Sequence, residues 1–381
     1  YEILRCLVGS EMCIRDSGYI SQNNSIANPI YKVSYYFYTH KQTAFMSIKI
    51  LITGAGGFIG GFIVEEALSR GYETWAGVRK TTSREHLSDP AIRFIDFNYG
   101  NKKILTDQLL SHKGEYGAWD YIVYNLGVTK CKNPDDFDRI NYGFVKNFTE
   151  ALVETEMVPK QFIMTSSLGA WGVGDEKNFT PIRPTDTPHP NTRYGKSKLK
   201  AERHLESLEG FPYVVMRPTG VYGPYERDYY LMMKSIKYGF DFIVGFKPQL
   251  ITFIYVKDLV QAIFKAIDRG VVRRGYFLSE GKAYTSSQFR RYVATALGKR
   301  RVVPVKIPVW LLWVVSVIAE KGAIVLGKTS TLNRDKFRIM KQRNWICDIS
   351  DAQNELGFSP QYSLERGVNE CVKWYRENKW L

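Results

Sequence analysis

IKILITGAGGFIG, residues 48–60, is the segment from which the architecture of this chain can be inferred. Its apolar start predicts a buried strand, its glycines predict a tight turn, and Phe58 and Ile59 predict the first turn of a helix. The glycines recur every third residue, at Gly54, Gly57 and Gly60. This spacing lets the chain turn, lets backbone approach a pyrophosphate, and lets the helix pack closely on the strand. These residues therefore predict a dinucleotide-binding turn, with an ordinary turn as the alternative.

The composition is that of a globular, basic chain. Of its 381 residues 44% are hydrophobic, which is enough to bury one large α/β domain or a large and a small one. The formal net charge of +15 favours anionic partners such as nucleotide phosphates, nucleic acid or an anionic membrane surface. Because no basic cluster is interleaved with stacking aromatic residues, we expect no nucleic acid partner.

Residues 1–45 are predicted to lie outside the fold. Residues 6–17, CLVGSEMCIRDS, resemble a translated sequencing adapter, and the residues after them show no clear period. We take Met46 as the natural start, since the segment lacks the basic region, apolar stretch and cleavage site of a signal peptide. The remaining cysteines are scattered and predict a reducing, cytoplasmic compartment: Cys131, Cys347 and Cys371.

The second predicted strand ends in Val78, Arg79 and Lys80. Enzymes that select NAD usually have an acidic residue at this place, where it binds the ribose 2′-hydroxyl. A guanidinium and an ammonium are suited instead to a 2′-phosphate. The strand end therefore predicts NADP(H) as the preferred cofactor and NAD(H) as the second choice, unless Arg79 is simply an exposed cation of a basic protein.

The ends of the next two strands provide further cofactor contacts. Asp96 and Phe97 are predicted to bind the adenine amino group and to cover the ring, although Asp96 is also interpreted as the cap of the next helix. Leu126 and Gly127 end the fourth strand, where small and apolar residues let a cofactor approach. Asn141 lies off the apolar stripe of the following helix, and it is either an exposed residue or a structural hydrogen bonder behind the site.

Three residues further along the chain form the candidate catalytic group. Ser167 follows the fifth strand at its carboxyl end, where α/β sheets bind ligands. Tyr194 and Lys198 are four residues apart on a predicted helix and therefore share one face. We expect the ammonium of Lys198 to lower the pKa of Tyr194, so that the phenol can exchange a proton near neutral pH, while Ser167 binds the reacting oxygen.

Together these motifs resemble the extended short-chain dehydrogenase/reductases, often called the NAD-dependent epimerase/dehydratase family. The similarity includes TGAGGFIG at 53–60, Ser167, YGKSK at 194–198, MRPTGVYGP at 216–224, FIYVKDLVQAI at 253–263 and WICDISDAQNELGFSP at 345–360. The resemblance implies an α/β fold, a Rossmann-type doubly wound parallel sheet with a smaller C-terminal substrate-binding region. Residues 46–225 would mainly bind NAD(P), and residues 226–381 would mainly bind substrate, with some segments returning to the first domain.

The resemblance also implies roles for individual residues. Ser167, Tyr194 and Lys198 would be the catalytic set, with Tyr194 as the acid/base and Lys198 also holding the nicotinamide ribose. Pro218 would lie near the nicotinamide. Related folds often form homodimers through a four-helix bundle, which makes a homodimer the expected assembly.

Two sequence features indicate which subgroup of the family this chain resembles. Sugar-nucleotide dehydratases have an Asp-Glu pair after the strand-end hydroxyl, whereas this chain has Leu168 and Gly169, so we do not expect dehydration. The strand end GVRK resembles that of dihydroflavonol reductase relatives, which, like the neighbouring hydroxysteroid dehydrogenases, reduce ketones or oxidise secondary alcohols. We therefore expect such chemistry on a small hydrophobic molecule. The alternatives are a sugar-nucleotide epimerase with bound NAD and a non-catalytic dinucleotide sensor.

Residues 307–319, IPVWLLWVVSVIA, are thirteen residues without a charge, flanked on both sides by lysine and arginine. This run is too short to span a membrane. One interpretation is an interfacial helix that contacts an anionic leaflet. The other is a buried helix that covers the substrate pocket.

Overall fold

The computed structural model describes residues 47–325, 330 and 332–381. The leader predicted at 1–45 and the predicted start Met46 lie outside the described residues. Residues 48–381 form one compact unit. The division of this unit at residue 225 stays a prediction.

The strands and helices alternate along most of the chain. The strands are β1 (Lys49–Thr53), β2 (Glu73–Gly77), β3 (Arg93–Ile95), β4 (Tyr121–Tyr124), β5 (Gln161–Thr165), β6 (Tyr213–Pro218), β7 (Gly220–Tyr222), β8 (Phe240–Val244), β9 (Leu250–Tyr255), β10 (Arg274–Leu278), β11 (Ala283–Tyr284), β12 (Val303–Ile307) and β13 (Asn344–Trp345). The helices are α1 (Phe58–Ser69), α2 (Lys102–Tyr116), α3 (Asp136–Asp138), α4 (Phe144–Glu154), α5 (Arg193–Ser207), α6 (Arg227–Lys237), α7 (Val256–Arg269), α8 (Ser286–Leu297), α9 (Val309–Val325), α10 (Arg334–Lys341), α11 (Ser350–Leu356) and α12 (Leu364–Glu377).

Seven parallel strands form the central sheet in the order β10-β6-β5-β4-β1-β2-β3. The order reverses at β1, so the carboxyl ends of β1 and β4 border the crevice in which such sheets bind ligands. This arrangement confirms the predicted Rossmann-type fold. A smaller sheet contains β11, β9 and β13, with β7 paired to β9, and a separate two-stranded ribbon joins β8 to β12.

Helices cover both faces of the central sheet, as a parallel sheet requires. Along β1 the side chains alternate between the two cores, with Ile50 and Ile52 on one side and Leu51 on the other. The core around Ile50 and Ile52 includes apolar residues of α1, α7 and α11. The core around Leu51 includes apolar residues of α2, α4 and α5. A third core packs β7, β9, α8 and α12 together.

The helix predicted over residues 134–152 is interrupted by a π-helical turn at Arg139–Gly143. The extra residue in this wide turn changes which side chains face inward. Asn141 is consequently buried, although it lies off the apolar stripe of a regular helix.

Residues 307–319 do not form a buried helix. Ile307 ends β12, and in α9 the residues buried among those described are Leu312 and Ser316, while Trp310, Trp313 and Ile318 are exposed. None of the described residues of α9 lines the large cavity beneath the C-terminal segments. The interpretation as a buried cover of the pocket is therefore wrong. Among the described helices, none combines the length and apolar character needed to cross a bilayer.

Candidate active site

One large cavity, of about 1710 Å³, lies at the carboxyl ends of the central strands. Its lining continues from the glycine turn into segments of the C-terminal half. Every predicted site residue except Gly60 lines this cavity. Residues that are far apart in the sequence are thus brought to one space that can hold both a dinucleotide and a substrate.

The glycine turn has the geometry that the sequence predicts. Gly54 has a φ of +66°, a conformation that favours glycine, and a Cβ there would lie 2.8 Å from the carbonyl oxygen of Asn125. A Cβ on Gly60 would lie 2.3 Å from the carbonyl oxygen of Gly54, so Gly60 permits the close contact of α1 with the turn. Gly57 caps α1 without a side-chain hydrogen bond. The N–H groups of Phe58 and Ile59 at the helix start are suited to bind phosphate.

Arg79 and Lys80 are exposed and line the cavity beside the ends of β2 and β3. The Asp96 carboxylate accepts a hydrogen bond of 3.0 Å from the Lys80 backbone N–H and so links the two strand ends. The next helix, α2, is capped by Asn101, whose side chain accepts from the N–H of Ile104. The interpretation of Asp96 as a helix cap is therefore wrong, whereas both interpretations of Arg79 stay open.

Phe97 has a more structural position than expected. It is buried, and its ring lies about 6 Å from those of Tyr99, Trp119 and Phe148 in the core on that side of the sheet. Part of it still borders the cavity. Because other core side chains cover most of the Phe97 ring, little of it is left to contact an adenine ring. That contact stays a prediction.

The end of β4 connects the cofactor side of the cavity to the catalytic residues. The backbone N–H of Leu126 donates to the hydroxyl of Thr53 at 3.2 Å. A Cβ on Gly127 would lie 3.0 Å from Oδ1 of Asn141 and 3.1 Å from Nζ of Lys198. A larger residue at 127 would therefore push on both side chains.

Ser167, Tyr194 and Lys198 lie together because two turns pack tightly. Ser167 caps the 3₁₀ turn Leu168–Ala170, its hydroxyl accepting from the Gly169 N–H at 3.1 Å. A Cβ on Gly195 would lie 2.2 Å from the Gly169 carbonyl oxygen, so the start of α5 is held against this turn. Ser167 and Tyr194 consequently line the same part of the cavity.

The ionisation of this group differs from the prediction. Burial raises the pKa of Tyr194, the Ser167 hydroxyl opposes that rise, and the charge of Glu202 adds to it. The expected lowering by Lys198 is wrong, because burial outweighs every effect that would lower the pKa of the phenol. The ammonium of Lys198 donates to the Thr165 carbonyl oxygen at 2.8 Å. Burial lowers the pKa of Lys198 to about 8, against the opposing effect of Glu202.

Asn141 holds the loop after β4 and the catalytic helix together. Its Oδ1 accepts from the Val128 N–H at 2.8 Å, and its Nδ2 donates to the Val128 carbonyl oxygen and to the Ser197 hydroxyl, both at 3.0 Å. Ser197 in turn donates to the backbone carbonyl of Tyr194 at 2.7 Å. The interpretation of Asn141 as a hydrogen bonder behind the site is confirmed.

A buried ion pair beneath the catalytic group was not found from the sequence. Glu202 and Arg217 are almost completely buried, and Nε of Arg217 donates to Glu202 at 2.9 Å. The hydroxyl of Ser166 donates to the same carboxylate, and Arg217 lies 4.0 Å from the ring centre of Trp171. The sequence offered one indication of this ion pair: Glu202 follows Lys198 by four residues and therefore lies on the same face of the helix.

A second charged cluster lies at the substrate end of the cavity. Asp228 bridges two lysines that line the cavity, Lys130 at 2.6 Å and Lys336 at 2.8 Å. Burial would raise the pKa of Asp228, but the two lysines lower it below its usual value. No local pattern could reveal this cluster, because its members come from three distant segments.

Apolar side chains form much of the remaining wall at the substrate end. They come from α6, β8, β9, α8 and the segment around α10, namely Leu231, Met232, Phe242, Val244, Ile251, Phe253, Phe289, Ile339, Met340 and Trp345. Polar and charged side chains line this end as well, among them Glu226, Asp228 and Lys336. Nearer the phenol, the carboxylate of Asp335 accepts from the backbone N–H of Tyr194 at 3.2 Å. The substrate end therefore has a mixed lining, in which a large set of apolar side chains lies beside a smaller set of fixed polar and charged groups.

These features fit a dinucleotide cofactor: a turn in which a Cβ at Gly54 or Gly60 would clash with backbone, an open helix start, and a lysine and a tyrosine that line the same cavity. A profile of the NAD dependent epimerase/dehydratase family matches residues 50–277, and the chain belongs to this family. It is accordingly an NAD(P)-dependent enzyme of the extended short-chain dehydrogenase/reductase type.

Known proteins similar to this chain act on different substrates. The dTDP-glucose 4,6-dehydratase of Xanthomonas campestris pv. campestris is 24% identical over 355 residues, covering 87% of this chain and 94% of that protein. A sterol-4-alpha-carboxylate 3-dehydrogenase, decarboxylating, of Dictyostelium discoideum is 25% identical over 351 residues, covering 84% and 99%. The UDP-glucose 4-epimerase of Thermotoga maritima, solved with UDP-glucose, has a TM-score of 0.69 at 21% identity, covering 87% of this chain and 100% of that one.

Proposed function

We propose that the protein is an NADP(H)-dependent oxidoreductase that interconverts a ketone and a secondary alcohol on a small hydrophobic molecule. The observation that carries the proposal is the placement of Ser167, Tyr194 and Lys198 at a cavity whose substrate end contains many apolar side chains. When bound, the dinucleotide supplies or accepts the hydride.

The residues of the chain handle the proton and the orientation of the substrate. Since burial raises the pKa of Tyr194, the phenol is protonated at neutral pH and can donate to an oxygen that becomes negative. Ser167, which lines the same part of the cavity as Tyr194, positions the same oxygen. Lys198 has a pKa of about 8 and is therefore mainly charged at pH 7, which favours the developing negative charge.

Dehydration is disfavoured by the residues after Ser167. Leu168 is buried and Gly169 has no side chain, so neither can act as the additional acid or base that elimination of water needs. The similarity to a dTDP-glucose 4,6-dehydratase therefore supports the fold and the hydride chemistry of the proposal. It does not support elimination of water, because this chain has no acid or base at positions 168 and 169.

A sugar-nucleotide epimerase is the second candidate, and the similarity to a dTDP-glucose 4,6-dehydratase and to a UDP-glucose 4-epimerase favours it. Lys130 and Lys336 offer positive charge at the substrate end, but both are bonded to Asp228. Two ammonium groups and one carboxylate leave a single net positive charge for a diphosphate. A non-catalytic sensor is the least supported function, because it would not need the combination of Tyr194 with Ser167 and Lys198.

The test follows the absorbance of the reduced nicotinamide with a panel of hydrophobic ketones and alcohols, using NADP(H) and NAD(H) in turn. We expect turnover with NADP(H), and a decrease in kcat of about 10²- to 10⁴-fold in Tyr194→Phe with unchanged cofactor binding. Tightly retained NAD together with interconversion of nucleotide sugars would overturn the proposal in favour of the epimerase.

A further inference from the structure

An exposed apolar surface borders the cavity, and the proposed reaction does not require it. β8 and β12 pair in parallel, with Phe240 opposite Val303 and Phe242 opposite Val305. Asp241, between the two phenylalanines, is buried, so the side of the ribbon with Phe240 and Phe242 points away from the protein body. These two phenylalanines are 47% and 53% exposed.

The helix after β12 continues this surface. Gly245 directly follows β8, and a Cβ there would lie 3.2 Å from Cγ2 of Val309 at the start of α9. Trp310 and Trp313 are 68% and 50% exposed. We refer to this combined surface as the aromatic face, formed by Phe240, Phe242, Val303, Val309, Trp310 and Trp313.

The aromatic face is continuous with the substrate end of the cavity. Phe242 belongs to the face and also lines the cavity. Leu231 and Met232 on α6 line the cavity too, and both are strongly exposed. The rim of the cavity on this side is therefore apolar and open.

The segments that form the face carry an excess of positive charge. Residues 240–247 and 299–325 contain six lysines and arginines and two acidic residues. Of these acids, Asp241 pairs with Arg290 and Glu320 pairs with Arg334. Cations without a described ion pair are exposed in these segments at Lys247, Lys299, Arg300, Arg301, Lys306 and Lys321.

We infer that the aromatic face docks the protein on the surface of an anionic lipid bilayer. Tryptophan is suited to the boundary between headgroups and acyl chains, and nearby lysine and arginine are attracted to anionic headgroups. Docking in this way places the apolar rim of the cavity against the lipid. Binding needs no turnover, so the inference can fail or hold independently of the proposed function.

The charge distribution favours a bilayer over a second copy of the chain as the occupant. An interface between two aromatic faces would bring both sets of cations together, and the two acidic residues nearby are already paired. Like charges at close range oppose such an association. An anionic lipid surface offers the complementary charge and also covers the apolar side chains.

The experiment measures binding of the full chain to vesicles of phosphatidylcholine, with and without phosphatidylglycerol, by co-sedimentation. We expect strong binding only to the vesicles that contain phosphatidylglycerol, and weaker binding at high salt. The double variant Trp310→Ser with Trp313→Ser should lower the partition coefficient about tenfold or more. Arg300→Gln with Arg301→Gln should lower it several-fold.

The matched control replaces two exposed apolar residues on other helices, Leu110→Ser with Val153→Ser, each of which is 50% exposed in the native protein. Thermal unfolding of all variants confirms that they fold, and the control should bind like the unchanged protein. Two results would each overturn the inference: a protein that stays in the supernatant with anionic vesicles, or equal binding by the tryptophan variant. A third result would come from light scattering: a dimer of the unchanged protein that is absent in the tryptophan variant. A second copy of the chain, and not a bilayer, would then cover the aromatic face.

Discussion

Lys198 illustrates how one buried charge can serve the reaction at the expense of stability. Its side chain is almost completely buried, and among the described residues its ammonium has one hydrogen-bond partner, the Thr165 carbonyl. Burial lowers its pKa from 10.5 to about 8. At neutral pH the folded protein therefore contains an ammonium that would be better solvated in the unfolded chain.

We predict that Lys198→Met removes activity but increases the free energy of unfolding at pH 7 by about 2 kcal/mol. Between pH 8 and 10.5 the unfolded wild-type chain binds more protons than the folded protein, so wild-type stability rises with pH and the difference shrinks. Urea unfolding at pH 7 and pH 10 measures this. Lys196→Met, at an exposed position on the same helix, controls for the loss of a positive charge. If the difference in free energy of unfolding between Lys198→Met and the wild type is the same at both pH values, the prediction is wrong.

Arg79 decides the cofactor preference in our proposal. Arg79→Ser should lower kcat/KM for NADPH about tenfold or more, because a charge-assisted bond to the 2′-phosphate is lost, while kcat/KM for NADH changes little. Steady-state kinetics with both cofactors give the ratio. Arg84→Ser is the control, since Arg84 is exposed but stacks on Phe94 outside the cavity lining. If Arg79→Ser leaves the ratio of kcat/KM for NADPH to kcat/KM for NADH unchanged, Arg79 is a surface cation without a role in cofactor choice.

At the scale of elements, the contact of α1 with the glycine turn can be tested with two neighbouring glycines. Gly60→Ala would place a Cβ 2.3 Å from the Gly54 carbonyl oxygen and 2.7 Å from Cα of Ala55, and backbone atoms cannot easily move aside. We expect a loss of about 2 kcal/mol of stability and weak dinucleotide binding.

Gly61→Ala is the control for this change. A Cβ there would meet the Cβ of His86 at 3.8 Å, which is an ordinary contact. The alanine should leave stability unchanged or raise it by up to about 1 kcal/mol, because it favours the helix. Thermal unfolding and fluorescence titration with NADPH distinguish the two variants, and similar behaviour of both would refute the close-packing argument.

Elements that are determined by contacts between neighbouring residues could be predicted from the sequence, whereas features that depend on distant contacts could not. The strand, turn and helix of residues 48–60 and the helix with Tyr194 and Lys198 follow from short patterns, and the structure contains them. The π-helical turn at 139–143, which buries Asn141, breaks a regular pattern and was not predicted. The pKa direction of Tyr194 was wrong, because sequence spacing puts Lys198 on the right face but cannot tell that burial outweighs every effect that would lower the pKa of the phenol.

At the scale of the whole molecule, Asp228 joins three distant segments through Lys130 and Lys336. Such a cluster is invisible in the sequence, because only the complete fold brings its members together. We predict that Asp228→Asn lowers the free energy of unfolding at pH 7 by about 1 kcal/mol, since these groups are partly exposed. The pKa of Asp228 is lowered, so this contribution is present above its unfolded value of 3.8 and lost as the pH falls further.

Asp268→Asn is the comparison for this prediction, since Asp268 is half exposed and, within the described part of the chain, forms an ion pair with Arg70 alone. Urea unfolding should show a smaller effect for Asp268→Asn than for Asp228→Asn. If the two variants lose the same stability, the bridge between segments adds nothing beyond an ordinary surface ion pair.

The last strand of the central sheet has a consequence for how the protein is made. β10 pairs in parallel with β6, although it follows β6 in the chain only after β7, α6, β8, β9 and α7. While the ribosome is still adding those segments, β6 offers the unsatisfied N–H and C=O groups of an open edge to any neighbouring nascent chain. The edge of β6 can therefore be closed by its own chain only after Leu278 has left the exit tunnel.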